Sequence, residues 1–255
     1  MADLALYRKH RPQTFHHLVG QDHVRRTLLN AIKAGHLSHA YLFCGPRGTG
    51  KTTTARLVAK AINCINPSQE GESCNKCDYC VMMSEGRLVD LIEIDAASNR
   101  GIDEIRDLRE KIKFAPSQAP HKVYIIDEVH MMTTPAFNAL LKTLEEPPSH
   151  AYFILATTEV HKVPETIVSR CQRFDFHRID EAVMIERLKE VARTENVKFE
   201  EAALSLIAKA AEGGLRNAIS LLEQIASGGI LTEENVRQVL GLTGGEAVER
   251  LLAAL

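Results

Sequence analysis

Eight residues constrain this chain more than any others: Gly45 to Thr52 read G-P-R-G-T-G-K-T, between an apolar run at 40–44 and a helical pattern at 52–62. Gly45, Gly48 and Gly50 let the backbone turn its N–H groups inward, because only glycine reaches those dihedrals without strain. In a strand–loop–helix setting such a loop holds phosphate at the helix N-terminus. Lys51 then reaches the β- and γ-phosphates as a point charge, and the Thr52 hydroxyl is placed to ligate Mg²⁺. The bland alternative, a glycine-rich turn with an incidental lysine, has to treat the strict spacing as chance.

Around the loop, short apolar runs rich in β-formers (40–44, 91–95, 123–127, 151–156 and 172–176) alternate with helical patterns at 22–34, 52–62, 102–113 and 134–144. That alternation predicts an α/β fold with a five-stranded parallel sheet covered on both faces. After Asp180 the strand patterns cease, and helical patterns follow at 181–196, 200–211, 215–227 and 232–240. The expected organisation is a nucleotide-binding core over 1–178 and a small helical domain over 179–242. Thr243-Gly244-Gly245 reads as a linker, and 246–255 as the first turns of a further amphipathic helix, the truncated start of a C-terminal assembly domain. The formal net charge of −2 gives no broad basic field, so any DNA contact has to be local or shared. No apolar run approaches the roughly 18 residues that cross a bilayer, which predicts a cytoplasmic protein without a membrane partner.

Three further groups carry chemistry. In V-Y-I-I-D-E-V-H a buried strand delivers Asp127 to its carboxyl end, where open α/β sheets bind ligands. Asp127 is expected to hold Mg²⁺ through its water shell, and Glu128 to act as general base on the attacking water. Without the phosphate loop, two adjacent acids would read as an ordinary solvated strand end. The second group is Cys64 with Cys74-x-x-Cys77-x-x-Cys80, an insertion at about 63–82. Four thiolates at that spacing suit a closed tetrahedral zinc site that holds together a surface knob with little core of its own. Free buried cysteines and an iron–sulfur cluster are the alternatives, the latter lacking the proline of the common bacterial run. Cys44 and Cys171 read as plain core residues. Third, Arg170 in S-R-C and Arg216 in G-G-L-R-N-A-I each follow a break in structure that could expose a guanidinium to phosphate, although either alone would pass for a surface arginine.

Taken together, G-P-R-G-T-G-K-T, I-I-D-E-V-H-M, F-N-A-L-L-K-T-L-E-E-P-P, I-L-A-T-T-E, S-R-C, the cysteine insertion and the opening Y-R-K-H-R-P-Q-T-F resemble the AAA+ ATPase subunits of bacterial replicative clamp loaders, the gamma/tau family of DNA polymerase III. The likeness runs from about Leu6 to Gly241. It implies an AAA+ core with a zinc-binding insertion and a helical lid, using ATP, Mg²⁺ and Zn²⁺. It also implies a ring-like assembly with other clamp-loader subunits that opens a sliding clamp and loads it on primed DNA. Within that resemblance Thr157 or Thr158 senses the γ-phosphate, the sequence leaving the two unseparated. Arg216 resembles a sensor reaching from the lid, with Leu215 beside it, and Arg170 a finger acting in trans on the neighbouring subunit's ATP. Tyr7, Arg11, Pro12 and Val19 would wrap adenine and ribose, though composition alone reads residues 8–11 as a solvated basic tail. Thr49 and Thr53 complete the nucleotide-contacting set. The rival readings are a nucleoside monophosphate kinase with a zinc lid, a non-catalytic clamp-loader subunit and another AAA+ DNA machine such as a branch-migration motor. The kinase would need arginines where the insertion has Glu70, Glu72, Asn75 and Asp78; the non-catalytic subunit would lack the intact Lys51, Thr52, Asp127 and Glu128; and the cysteine insertion with S-R-C speaks against the motor.

Overall fold

Each of the five apolar runs becomes a strand of one sheet: β1 (Ala40–Cys44), β2 (Leu91–Asp95), β3 (Lys122–Asp127), β4 (Ala151–Thr157) and β5 (Gln172–Asp175). The structure, a computed structural model, describes residues 4–99, 101–226 and 229–242. The expected linker and helix at 243–255 lie outside the described residues. In chain order the helices are α1 (Leu6–Lys9), α2 (Asp22–Ala34), α3 (Lys51–Asn63), α4 (Asp78–Ser84), α5 (Ile102–Ile112), α6 (Thr134–Glu145), α7 (Glu165–Val168), α8 (Glu181–Thr194), α9 (Glu201–Ala210), α10 (Leu215–Ala226) and α11 (Glu233–Leu240). Boundaries move slightly from expectation: β5 stops at Asp175 rather than 176, and α8 at Thr194 rather than 196. Among the described residues no helix is long and apolar enough to cross a membrane.

The sheet has the order β2-β3-β4-β1-β5, and every pairing is parallel. Because side chains alternate across a strand, each run feeds two cores. Leu42, Tyr124, Ile126, Phe153 and Leu155 pack on one face with Ile105 and Leu108 of α5 and Phe137 and Leu140 of α6. Tyr41, Phe43, Val123, Ile125 and Ile154 pack on the other with Val24 and Leu28 of α2 and Leu57 and Val58 of α3. Covering both faces is why the inner strands β1, β3 and β4 are buried almost throughout, whereas the edge strands β2 and β5 carry exposed polar residues. Helix ends follow local chemistry: α2 ends in a left-handed Gly35 (φ 68°), and the Thr133 hydroxyl caps α6 by accepting from the Ala136 N–H.

The chain divides into two compact units. Residues 12–177 form the α/β unit, whereas residues 4–11 belong with 178–242 in the helical unit. The N-terminal segment is tied there by polar contacts that apolar periodicity does not reveal. The Leu6 N–H donates to Glu223 Oε1 (3.1 Å), Lys9 pairs with Glu195 (2.7 Å), and Arg187 donates to the His10 carbonyl (3.1 Å). The helical unit buries Met184, Leu188 and Val191 of α8 against Leu204 and Ile207 of α9, Ile219 and Leu222 of α10, and Val236 of α11. The Thr232 hydroxyl caps α11 by accepting from the Asn235 N–H.

Candidate functional site

Three adjacent strands, β3, β4 and β1, end side by side, and the phosphate loop, Asp127, Glu128, Thr157 and Thr158 lie at their carboxyl ends. In register, Cys44 lies opposite Thr157 and Ile126 opposite Leu155, so the loops after β1, β3 and β4 open at one edge of the sheet. The loop after β1 is folded by glycine. Gly45 has φ 146°, and a Cβ there would collide with the Phe176 carbonyl oxygen; Gly50, at φ 103°, leads directly into α3. The Gly45 N–H donates to the Thr157 carbonyl (3.2 Å), fastening the loop to β4.

Lys51 is 6% exposed and turns back on its own loop, its Nζ donating to the carbonyls of Gly45 and Pro46 at 2.8 Å each. Burial pushes its pKa below the ordinary lysine value, while the Glu128 and Asp127 carboxylates pull the other way. A cation held by neutral carbonyls and faced by two carboxylates is matched to an anion that would displace those carbonyls. The Thr52 hydroxyl donates to Asp127 Oδ2 (2.6 Å), and Asp127 Oδ1 accepts from the Glu128 N–H (3.0 Å). A hydroxyl and a carboxylate oxygen in contact are the donor pair a hard divalent cation takes.

Glu128 adopts a left-handed backbone (φ 48°) although it carries a side chain. Such a residue costs about 1–3 kcal/mol and persists where its surroundings over-determine it. Its carboxylate Oε2 accepts from the Thr158 hydroxyl (3.0 Å). The structure separates the two threonines: Thr157 is fully buried, its Oγ1 taken by the Glu159 N–H and by His130 Nδ1 at 3.0 Å each, whereas Thr158 is half-buried against Glu128. His130 was missed in the sequence, though it is the last residue of the D-E-V-H run. Its side chain is 5% exposed, with Nδ1 3.5 Å from Glu128 and Nε2 3.3 Å from Glu159.

The remaining nucleotide-site residues belong to both units. Thr49 is buried, its hydroxyl on the Pro46 carbonyl (2.8 Å), and Thr53 lies on the first turn of α3. Pro12 and Val19 belong to the α/β unit; Tyr7, Arg11, Leu215 and Arg216 belong to the helical unit. There the Arg216 guanidinium lies 4.5 Å from the centre of the Tyr7 ring, a cation–π pair that the sequence did not suggest. Arg170 donates to Glu145 Oε1 (2.6 Å) and to the Thr166 carbonyl (2.7 Å), away from Lys51's contacts. Cys44 and Cys171 behave as core residues, burial raising their thiols to about 11 and about 12.

At the far end of α3, Cys64, Cys74, Cys77 and Cys80 bring their sulfurs within 4.8 Å of one another. A tetrahedral zinc with Zn–S of about 2.3 Å puts neighbouring sulfurs about 3.8 Å apart. The Cys74 and Cys80 sulfurs are 4.0 Å apart, so the set fits. Backbone N–H groups of Cys74 and Cys77 donate to the sulfurs of Cys64 (3.2 Å) and Cys74 (3.3 Å). Donation from the Lys76 and Cys77 amides lowers the Cys74 thiol to about 6, toward the thiolate a metal requires. The knob is less isolated than expected. Met83 of α4 is buried in the main core with Tyr79 and Met82 packed beside it, and the Glu72 carboxylate accepts from the N–H groups of Phe15 (3.0 Å) and His16 (2.9 Å).

Comparison with known proteins adds to this geometry. Residues 20–180 match the family described as DNA polymerase III, delta subunit, and residues 184–237 the DNA polymerase III clamp loader subunit, ATPase lid domain. Among solved structures, a Thermotoga maritima RuvB Holliday junction branch migration motor superposes with a TM-score of 0.66 at 21% identity, covering 91% of this chain and 72% of that one. That likeness speaks for the fold alone. The tau subunit of DNA polymerase III from Bacillus subtilis (strain 168) is 53% identical over 100% of this chain and 46% of its own length; that of Escherichia coli (strain K12) is 46% identical over 100% and 40%. The chain thus spans less than half the length of these relatives. With both units matched and identity of this order across all of it, the chain belongs to the gamma/tau family of DNA polymerase III clamp-loader subunits.

Proposed function

We propose that this chain is the ATP-binding and ATP-hydrolysing part of a clamp-loader motor subunit, working in the cytoplasm within a ring of related subunits to open a sliding clamp and load it on primed DNA. The observation that carries the reading is the convergence of Lys51, Thr52, Asp127, Glu128 and Thr158 at the ends of three neighbouring strands. Lys51 exchanges the Gly45 and Pro46 carbonyls for phosphate oxygens. Thr52 and Asp127 hold Mg²⁺, which when bound neutralises charge on the β- and γ-phosphates. Glu128 orients and deprotonates the attacking water.

Thr158 rather than Thr157 is the γ-phosphate sensor in this reading, because among the described residues its hydroxyl is shared with Glu128 alone while that of Thr157 is already committed inside the fold. In the ground state Thr158 holds the carboxylate; a γ-phosphate competing for the hydroxyl frees Glu128 for water. Arg216 with Tyr7 and Leu215 supplies the lid's contacts to the nucleotide, and Arg11, Pro12 and Val19 those around the base. Arg170 leaves Glu145 for the phosphate of an adjacent subunit, a guanidinium being suited to that exchange by its fixed charge. Cys64, Cys74, Cys77 and Cys80 hold a structural Zn²⁺.

Equilibrium ATP binding and ATPase rates, with and without clamp, primed DNA and the other subunits, test this. Lys51→Ala should abolish ATP binding by the isolated chain. Glu128→Gln should bind ATP yet hydrolyse it about 10² to 10⁴ times more slowly. Arg170→Ala should leave affinity of the isolated chain unchanged and slow the assembly by about 10³ or more. Retained binding in Lys51→Ala, or an equal loss from Arg170→Ala in isolated chain and assembly, would overturn the assignment.

A further inference from the structure

Lys60 lies in the last turn of α3 and is 4% exposed. Its ammonium donates to Gln13 Oε1 (2.9 Å), Asn75 Oδ1 (3.0 Å) and Ser84 Oγ (2.9 Å), which uses all three of its donors. Every one of these acceptors is neutral. Withdrawing an ammonium from water costs several kcal/mol even after relaxation, and a buried cation is ordinarily matched by a carboxylate. None of the partners of Lys60 is an acid.

Two of these contacts lead to the cysteine cluster. Asn75 lies between Cys74 and Cys77, and Ser84 donates onward to the Cys80 carbonyl (2.9 Å). Four thiolates around a divalent ion carry a net charge of −2, an excess that a buried cation beside the half-buried cluster offsets.

We propose that Lys60 is the counter-cation of the tetrathiolate centre, so that the bound metal and the last turn of α3 stabilise one another. The inference rests on the zinc reading above and adds a residue to it: Lys60 touches no metal and acts by positioning charge. Through Gln13 it also joins the metal centre to the segment that precedes Phe15. The C-terminal dipole of α3 favours a cation at this place as well, but that effect is worth about 0.3–1 kcal/mol, too little to offset the burial.

Zinc affinity of the 255-residue chain, measured by competition with a chromophoric chelator, tests it together with the sulfur-to-metal charge-transfer band of the cobalt-substituted chain. Lys60→Gln keeps a hydrogen-bond donor without the charge and Lys60→Met keeps neither; both should bind zinc about 10- to 100-fold more weakly, with the cobalt band moved to lower energy. Lys60→Arg, which keeps the charge, should stay within threefold of the unsubstituted chain, as should Asn75→Gly, which removes the neutral acceptor at a left-handed position (φ 56°) that glycine tolerates. Should the Lys60 variants not fold, Asn75→Asp gives Lys60 a competing anion and should weaken zinc at least tenfold. Lys60→Gln binding zinc as the unsubstituted chain does, Lys60→Arg as weak as Lys60→Gln, or Asn75→Asp without effect would each overturn the proposal. Absence of zinc binding by the unsubstituted chain would instead overturn the metal reading on which it rests.

Discussion

The two ends of α3 solve the same problem with different materials. At the N-terminal end the chain must hold a tight loop with little side-chain core, and it does so with backbone: glycine dihedrals, the Gly45 N–H on the Thr157 carbonyl, and Lys51 folded back on Gly45 and Pro46. At the C-terminal end an insertion of similar poverty is held by side chains, the four sulfurs, Lys60 and the Glu72 carboxylate. Backbone satisfies itself without help, whereas thiolates repel one another until a cation joins them. The first end is therefore complete before its ligand arrives and the second is not. That difference suits their tasks, since the first has to release what it binds.

The largest effect that could break this contrast comes from metal removal. At free zinc a thousandfold above Kd, the bound ion stabilises the fold by about 4 kcal/mol, and chelation withdraws that amount. Thermal melts with and without chelator should show the loss, and Cys77→Ser should reproduce it. Amide exchange should localise the change, with protection falling over 64–84 while 45–52 keeps its rate. Equal loss at both ends would mean that the phosphate loop leans on the metal too.

A smaller effect tests the backbone-built end. Gly45→Ala places a methyl group against the Phe176 carbonyl oxygen, at a backbone angle unfavourable for alanine. Overpacking and strain together cost about 2–4 kcal/mol. The expected result is a lowered melting temperature with zinc content unchanged. A melt like that of the unsubstituted chain would show the loop to be far more yielding than its geometry implies.

How much of this was legible beforehand follows the same line. The strands, the phosphate loop, the acidic pair and the cysteine set could be read because each rests on a pattern: short runs rich in β-formers between helical patterns, glycine spacing, a strand end, C-x-x-C steps. The polar side-chain contacts could not. Nothing periodic announces that His130 is buried between Thr157, Glu128 and Glu159, that Tyr7 stacks on Arg216 more than two hundred residues away, or that residues 4–11 fold with the helical unit. Those contacts join residues distant in sequence through single hydrogen bonds, and one sequence holds no signal for them. The choice between Thr157 and Thr158 was of this kind, since adjacent residues of one type differ only in the face they present.

Asp90 supplies the finest test, because it builds a loop from a side chain without any ion. It is fully buried just before β2, and its carboxylate accepts from the N–H groups of Ser117 (2.9 Å), Gln118 (2.7 Å) and Ala119 (2.8 Å). Burial alone would raise its pKa, but the amides of Ala119, Ser117 and Gln118 outweigh it and hold the carboxyl below its ordinary value. A depressed pKa means stability that is present above the unfolded value of about 3.9 and is lost as pH falls through the folded one. Asp90→Asn turns an acceptor into a partial donor facing three donors, at a cost of about 1–3 kcal/mol near neutrality. Denaturant titrations from pH 7 downward should find that cost constant until about pH 4 and shrinking below it, as the unfolded carboxyl takes up a proton before the native one does. A difference independent of pH down to acid unfolding would show that shape, and not the fixed charge, holds the loop, and the carboxylate would then no longer stand as the ion-free counterpart of the thiolate cluster.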